Sequence, residues 1–74
     1  MSKPTRITNS IRALRFARGE MTQAELAQRI GVTRQTVIAI EQGRYSPSLE
    51  VAFQIARVLR VPLDEVFQYP EGDA

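Results

Sequence analysis

The sequence contains no cysteine and no histidine. Without cysteine there is no disulfide staple, and without either residue the usual ligands of a structural zinc site are missing. At 74 residues the chain is one domain, and a domain this small buries only about 60% of its unfolded surface. Stability must come from well-packed helices, from a partner subunit, or from both. The lack of cysteine fits a reducing cytosol. Long apolar runs are also missing. Nothing is long enough to span a bilayer, and the N-terminus lacks the apolar stretch of a signal peptide. A soluble cytoplasmic protein is expected. With no histidine, no cysteine and no paired carboxylates in a plausible cleft, an enzyme is not expected. Nothing points to a cofactor, a metal or a small-molecule ligand. The stacking platforms of a single-stranded-RNA reader are missing too.

Acids are scarce through most of the chain. All ten bases lie in residues 1–60, where the acids are Glu20, Glu25, Glu41 and Glu50, leaving +6. Residues 61–74 hold Asp64, Glu65, Glu71 and Asp73 and no base, giving −4. A basic body with an acidic tail suits a nucleic-acid-facing side and a side turned away from it. The same charge also fits an ordinary solvated surface, so charge alone does not decide.

What is present is helical signal. Residues 1–8, with Lys3, Pro4 and Arg6, read as a loose basic arm. From about Asn9, Ile11 and Leu14 have helical spacing and Gly19 closes the element. Thr22-Gln23-Ala24-Glu25 is a capping box that opens a second helix. Leu26, Ala27 and Ile30 form its apolar face, and Gly31 permits the sharp turn that ends it. Thr33 caps a third helix, with Val37 and Ile40 inward, stopped at Gln42-Gly43. Arg44-Tyr45-Ser46-Pro47 is a loop. Ser46 or Ser48 caps the fourth helix, and Ser46 with Pro47 in the first turn is the neater arrangement. Leu49, Ala52, Phe53, Ala56 and Leu59 repeat at three and four along it. Pro62 starts a short fifth helix through Leu63, Val66 and Phe67, and residues 69–74 are an acidic tail. No stretch alternates as a strand would.

Two short helices joined by Gly31-Val32-Thr33 make a helix-turn-helix. Small Ala27 allows the helices to cross closely. Val37 and Ile40 lock the second of them onto the domain, which leaves Arg34, Gln35, Ile38 and Ala39 outward, with Thr33 and Thr36 beside them. That face suits a major groove. Arginine pairs with guanine O6 and N7, glutamine with adenine N6 and N7, and apolar groups meet thymine methyls. The start of the second helix offers backbone N–H groups and a positive dipole end to a phosphate, with Gln23 as an added donor.

The run from Met21-Thr22-Gln23-Ala24-Glu25-Leu26-Ala27-Gln28 through Gly31-Val32-Thr33-Arg34-Gln35-Thr36-Val37 to Ile40-Glu41-Gln42-Gly43 closely resembles the lambda-repressor-like, Cro/xenobiotic-response-element family of transcriptional regulators. Arg44-Tyr45-Ser46-Pro47-Ser48-Leu49-Glu50 is similar to the short stand-alone bacterial members, including cytolysin-repressor-like proteins. The likeness covers about residues 9–68. It implies an all-α, five-helix domain with the helix-turn-helix at helices two and three. It implies base contacts from Thr33, Arg34, Gln35, Thr36, Ile38 and Ala39, and phosphate contacts from Gln23, Arg44, Tyr45 and Ser46. It implies an inter-helix salt bridge between Arg15 and Glu41, so Arg15 is read as structural. The link Gly19-Glu20-Met21-Thr22 is one residue longer than the family's usual one.

The function expected is a sequence-specific regulator of double-stranded DNA, acting as a repressor. It would bind a pseudo-palindromic operator as a homodimer in the cytoplasm of a bacterium or from a phage. Pro62, Leu63, Phe67 and Tyr69 are the expected dimer interface, with Val66 turned to the core. The competing expectation is an antitoxin-like interaction module that binds a partner protein as well as DNA. The short stretch after Phe67 counts against it.

Overall fold

Seven short elements follow one another in the computed structural model, which describes residues 5–70. They are β1 (Thr8–Asn9), α1 (Ile11–Ala17), α2 (Gln23–Ile30), α3 (Arg34–Glu41), α4 (Leu49–Leu59), α5 (Leu63–Val66) and β2 (Phe67–Gln68). Lys3 and Pro4 of the expected basic arm, and Glu71 and Asp73 of the expected acidic tail, lie outside the described residues. Among those described, no helix is long and apolar enough to cross a membrane.

The five helices form where the apolar spacing places them, and local chemistry sets their ends. At α2 both halves of the capping box are made. Glu25 N donates to Thr22 Oγ1 at 3.0 Å, and Thr22 N donates to Glu25 Oε1 at 2.8 Å. The helix ends at Gly31, whose φ of +76° is left-handed and free of strain only for glycine. The turned chain is held by Val32 N donating to the Ala27 carbonyl at 3.0 Å. Thr33 then caps α3 by accepting from Thr36 N at 3.2 Å. Ile11, Met21, Leu26, Ala27, Ile30, Val37, Ile40, Ile55, Ala56, Leu59 and Val66 form one continuous core.

Three sequence expectations are corrected. The cap of α4 is Ser48, which accepts from Val51 N at 3.2 Å, so Pro47 stays outside the helix and half-buried. The buried stripe of α4 is Ala52, Ile55, Ala56 and Leu59, while Leu49 and Phe53 are 69% and 55% exposed. Apolar residues surround most of this helix, so spacing alone did not select the inward face. Finally, the ends of the domain pair as a ladder. Thr8 lies opposite Gln68 and Asn9 opposite Phe67, antiparallel. Two residues per strand are too few to show a period of two, which is why Phe67 read as helix and Thr8 as arm.

The extra residue between α1 and α2 is absorbed by two consecutive left-handed positions, Gly19 (φ +76°) and Glu20 (φ +59°). The chain returns with Met21 N bonded to the Arg15 carbonyl at 2.9 Å, and Met21 enters the core.

Candidate nucleic-acid interface

The outer face of α3 is carried by a helix that cannot easily move. Val37 and Ile40, on its inner face, are 1% and 2% exposed. Thr33, Arg34 and Gln35 are exposed at its N-terminal end. Thr36 is half-buried, and its hydroxyl lies 3.0 Å from that of Thr33. Ile38 and Ala39 are half-buried as well. Of the six residues read as base-facing, the polar three at the start of the helix are therefore the most open. An arginine and a glutamine side by side, on a fixed helix end, form a hydrogen-bonding surface of the kind that reads base edges.

At the other end of α3 lies a buried ion pair. Arg15 Nε donates to Glu41 Oε2 at 2.7 Å and Arg15 Nη2 to Glu41 Oε1 at 3.1 Å. The third guanidinium nitrogen, Nη1, donates to the Met21 carbonyl at 2.7 Å. The two side chains are 8% and 9% exposed. A guanidinium with all three nitrogens engaged inside the domain is committed to the scaffold, where it joins α1, the α1–α2 link and α3.

Gln23, at the first position of α2, is half-buried. Its Nε2 donates to Glu41 Oε1 at 3.1 Å, and its Oε1 lies 3.5 Å from Arg34 Nη2. An open cleft of about 1090 Å³ runs along this region, with Arg12, Phe16, Gln23, Arg34 and Gln42 among its lining. The Arg12 guanidinium lies 5.9 Å from the Phe16 ring centroid. Exposed cations along an open cleft suit a polyanion backbone.

The loop after α3 is set by Gly43 (φ +72°), with Arg44 N bonded to the Ala39 carbonyl at 3.0 Å. It leaves Arg44, Tyr45 and Ser46 exposed. At α2, the hydrogen bonds from Thr22, backbone first and hydroxyl second, hold the Glu25 carboxyl below the ordinary carboxylate value.

The residues assigned to a dimer contact divide. Pro62 and Tyr69 are exposed, whereas Leu63 and Phe67 are half-buried against the core and Val66 is fully buried. Leu63 and Phe67 line an apolar groove of about 310 Å³ together with Ile7, Pro47, Leu49 and Ala52.

Sequence reasoning missed Asn9. Its Nδ2 donates to the Ile40 carbonyl at 3.0 Å and its Oδ1 accepts from Ile11 N at 3.1 Å, clamping the start of α1 to the end of α3. An asparagine just before an apolar helix start is a capping signal, but its long-range half cannot be read from spacing. The Gln23 link to Glu41 was missed for the same reason.

Residues 11–66 match the helix-turn-helix family. An uncharacterised helix-turn-helix-type transcriptional regulator of Methanothermobacter thermautotrophicus is 56% identical over 55 residues, covering 73% of this chain and 80% of that protein. The Bacillus subtilis regulator YgzD is 43% identical over 63 residues, covering 85% and 94%. The cryptic phage CTXphi transcriptional repressor RstR of Vibrio cholerae is 39% identical over 59 residues, covering 80% of this chain and 52% of RstR. A crystal structure of a protein from Bacteroides fragilis superimposes with a TM-score of 0.73 at 22% identity, covering 84% of this chain and 98% of that one, and so shares the fold. The chain belongs to the helix-turn-helix family, in the lambda-repressor-like, Cro/C1-type branch whose members are DNA-binding transcriptional regulators.

Proposed function

We propose that the chain is a sequence-specific transcriptional regulator that binds a pseudo-palindromic operator as a homodimer and represses from it. The observation that carries this reading is the start of α3. Arg34 and Gln35 are exposed on a helix whose other face is locked by Val37 and Ile40. Direct base readout needs that combination, because a side chain discriminates bases only when its backbone is held in register. Thr33, Thr36, Ile38 and Ala39 complete the base-facing surface. Gln23 and the loop Arg44–Ser46 anchor phosphates on either side of it. The repressor assignment is supported by the resemblance to RstR, a phage repressor, although this chain spans only about half of that protein.

The dimer reading is supported by the groove of Ile7, Pro47, Leu49, Leu63 and Phe67. An apolar groove with an exposed rim is a surface that a second copy would cover about a two-fold axis. Two copies would present two α3 helices about one DNA turn, 34 Å, apart. Cytoplasmic DNA is the target.

Selection of bound duplexes from a random pool tests the reading. A palindromic site with fixed half-site spacing is expected, and its occupancy should prevent transcription from an overlapping promoter. Binding that falls with salt but enriches no sequence would leave only a non-specific DNA binder.

A further inference from the structure

Asn9 belongs to two structures at once. Its side chain is half-buried against the end of α3. Oδ1 accepts from Ile11 N at 3.1 Å, and Nδ2 donates to the Ile40 carbonyl at 3.0 Å and to the Glu41 carbonyl at 3.4 Å. The amide has one acceptable orientation, because a flipped one would set oxygen against two carbonyls. Ile40 and Glu41 are the last two residues of α3, and the final carbonyls of a helix have no partner within it. The backbone of Asn9 belongs to the ladder. It pairs with Phe67, and Ser10 N bonds to the Val66 carbonyl at 2.9 Å. Phe67, and Ile7 just before β1, both line the apolar groove. One side chain thus ties the end of α3 to the strand pair that borders the groove. The Arg15–Glu41 pair, by contrast, runs from that end to α1 and the α1–α2 link.

We infer that Asn9 is a positioning residue for operator spacing: its amide fixes the tilt of α3 relative to the dimer groove, and with it the half-site separation that two copies accept. The inference rests on the homodimer reading, with that groove as the contact. Base identity within a half-site is the task of side chains on α3. The distance and angle to the second half-site depend on how α3 is carried on the dimer contact. Asn9 acts on the latter alone, through the backbone at the end of the helix. One added or removed base pair turns one half-site by about a tenth of a helical turn relative to the other. A tethered α3 resists that turn, whereas an untethered one follows it.

The test compares Asn9→Ser and Asn9→Asp with the unmodified full chain. Serine and aspartate cap a helix about as well as asparagine, so each keeps an acceptor for Ile11 N. Each loses the donor to Ile40 and Glu41. Affinity is measured on the duplex selected by the unmodified chain and on the same duplex with one base pair added or removed between half-sites. Single-base substitutions within a half-site are measured beside them. The unmodified chain should discriminate against altered spacing. Both variants should lose about fivefold of that discrimination, the scale of one neutral hydrogen bond. They should keep the parent's base preferences and its mass in sedimentation. By NMR of the free protein, Asn9→Ser should lower the backbone order parameters of Glu41 and Gln42 and leave those of Arg34 and Gln35 unchanged. Spacing discrimination unchanged in both variants would overturn the inference and leave the dimer standing. A loss of base preference as large as the loss of spacing preference would make Asn9 a general support of the fold, and would overturn it too. An unmodified chain that sediments as a monomer and tolerates every spacing would instead overturn the homodimer reading, and the inference with it.

Discussion

At the scale of single residues, the most consequential charge is the buried guanidinium of Arg15. Both oxygens of Glu41 and the carbonyl of Met21 satisfy it. Two opposed effects compete here. Desolvation makes the intact pair nearly neutral for stability, whereas deleting one partner strands a buried charge and costs about 3–5 kcal/mol. Glu41→Ala should therefore lower the unfolding free energy in urea by about that amount. An Arg15→Met/Glu41→Leu double replacement should cost clearly less than Glu41→Ala alone. Glu20 sits at the other extreme, exposed and left-handed at φ +59°. A non-glycine residue there carries about 1–2 kcal/mol of strain, and glycine returns about 0.5–1 kcal/mol of that as extra chain entropy. Glu20→Gly should gain about 0.5–1 kcal/mol, seen by calorimetry as a melting temperature several degrees higher. On the DNA side, Arg34→Ala should cost about 1–3 kcal/mol on the selected operator and relax preference at one base pair. An equal loss on random duplex would make Arg34 a phosphate contact.

At the scale of elements, none of these helices would be stable alone. The longest, α4, has 11 residues, and isolated helices shorter than about 12–15 residues are marginal in water. Caps and packing hold them, which makes the α2 capping box testable by pH. The Glu25 carboxyl is held below its ordinary value by hydrogen bonds from Thr22. A folded-state value below the unfolded one means the contribution is complete above the ordinary carboxylate range. It is lost as pH falls through the depressed folded value. Glu25→Ala should thus melt lower than the parent chain at neutral pH, and the gap should close in strong acid. A gap that persists there would mean that the carboxylate is not what the substitution removed. The same element shows what the sequence makes legible. In α2 the cap, the stripe Leu26–Ala27–Ile30 and the stop at Gly31 all agree, so one structure satisfies every local signal. In α4 they do not, because Leu49, Val51, Phe53 and Val58 extend apolar character around the helix. There the inward face is set by what packs against it, and the stripe through Ile55 wins. The Thr8–Gln68 ladder and the Gln23–Glu41 contact join residues 60 and 18 apart. No local period encodes such pairings, so helix α3 was readable whereas the polar link behind it was not.

At the scale of the whole molecule, dimension argues for two copies. The longest extent of the domain is 38 Å, and α3, with 8 residues, is about 12 Å long at 1.5 Å per residue. In the proposed complex one such helix would read a few base pairs, which is half of a symmetric operator rather than all of it. A partner must bury apolar surface away from the recognition helix, and the groove of Ile7, Pro47, Leu49, Leu63 and Phe67 shares no residue with the cleft along α1, α2 and α3. Leu63 is half-buried against the core and Leu49 is 69% exposed. Aspartate at either position should place a charge in the shared apolar contact. Leu63→Asp also perturbs the monomer, but Leu49→Asp has little of the core to disturb, so the pair separates unfolding from dissociation. Sedimentation of both variants at micromolar concentration should give the monomer mass, with circular dichroism of Leu49→Asp unchanged. Each dissociated copy would then keep only its own phosphate contacts. The slope of log affinity against log salt scales with the number of neutralised phosphates, so it should fall to about half that of the parent dimer. A dimer mass retained by both variants, with an unchanged salt slope, would remove this groove from the interface and leave the exposed Pro62 and Tyr69 as the surface to test next.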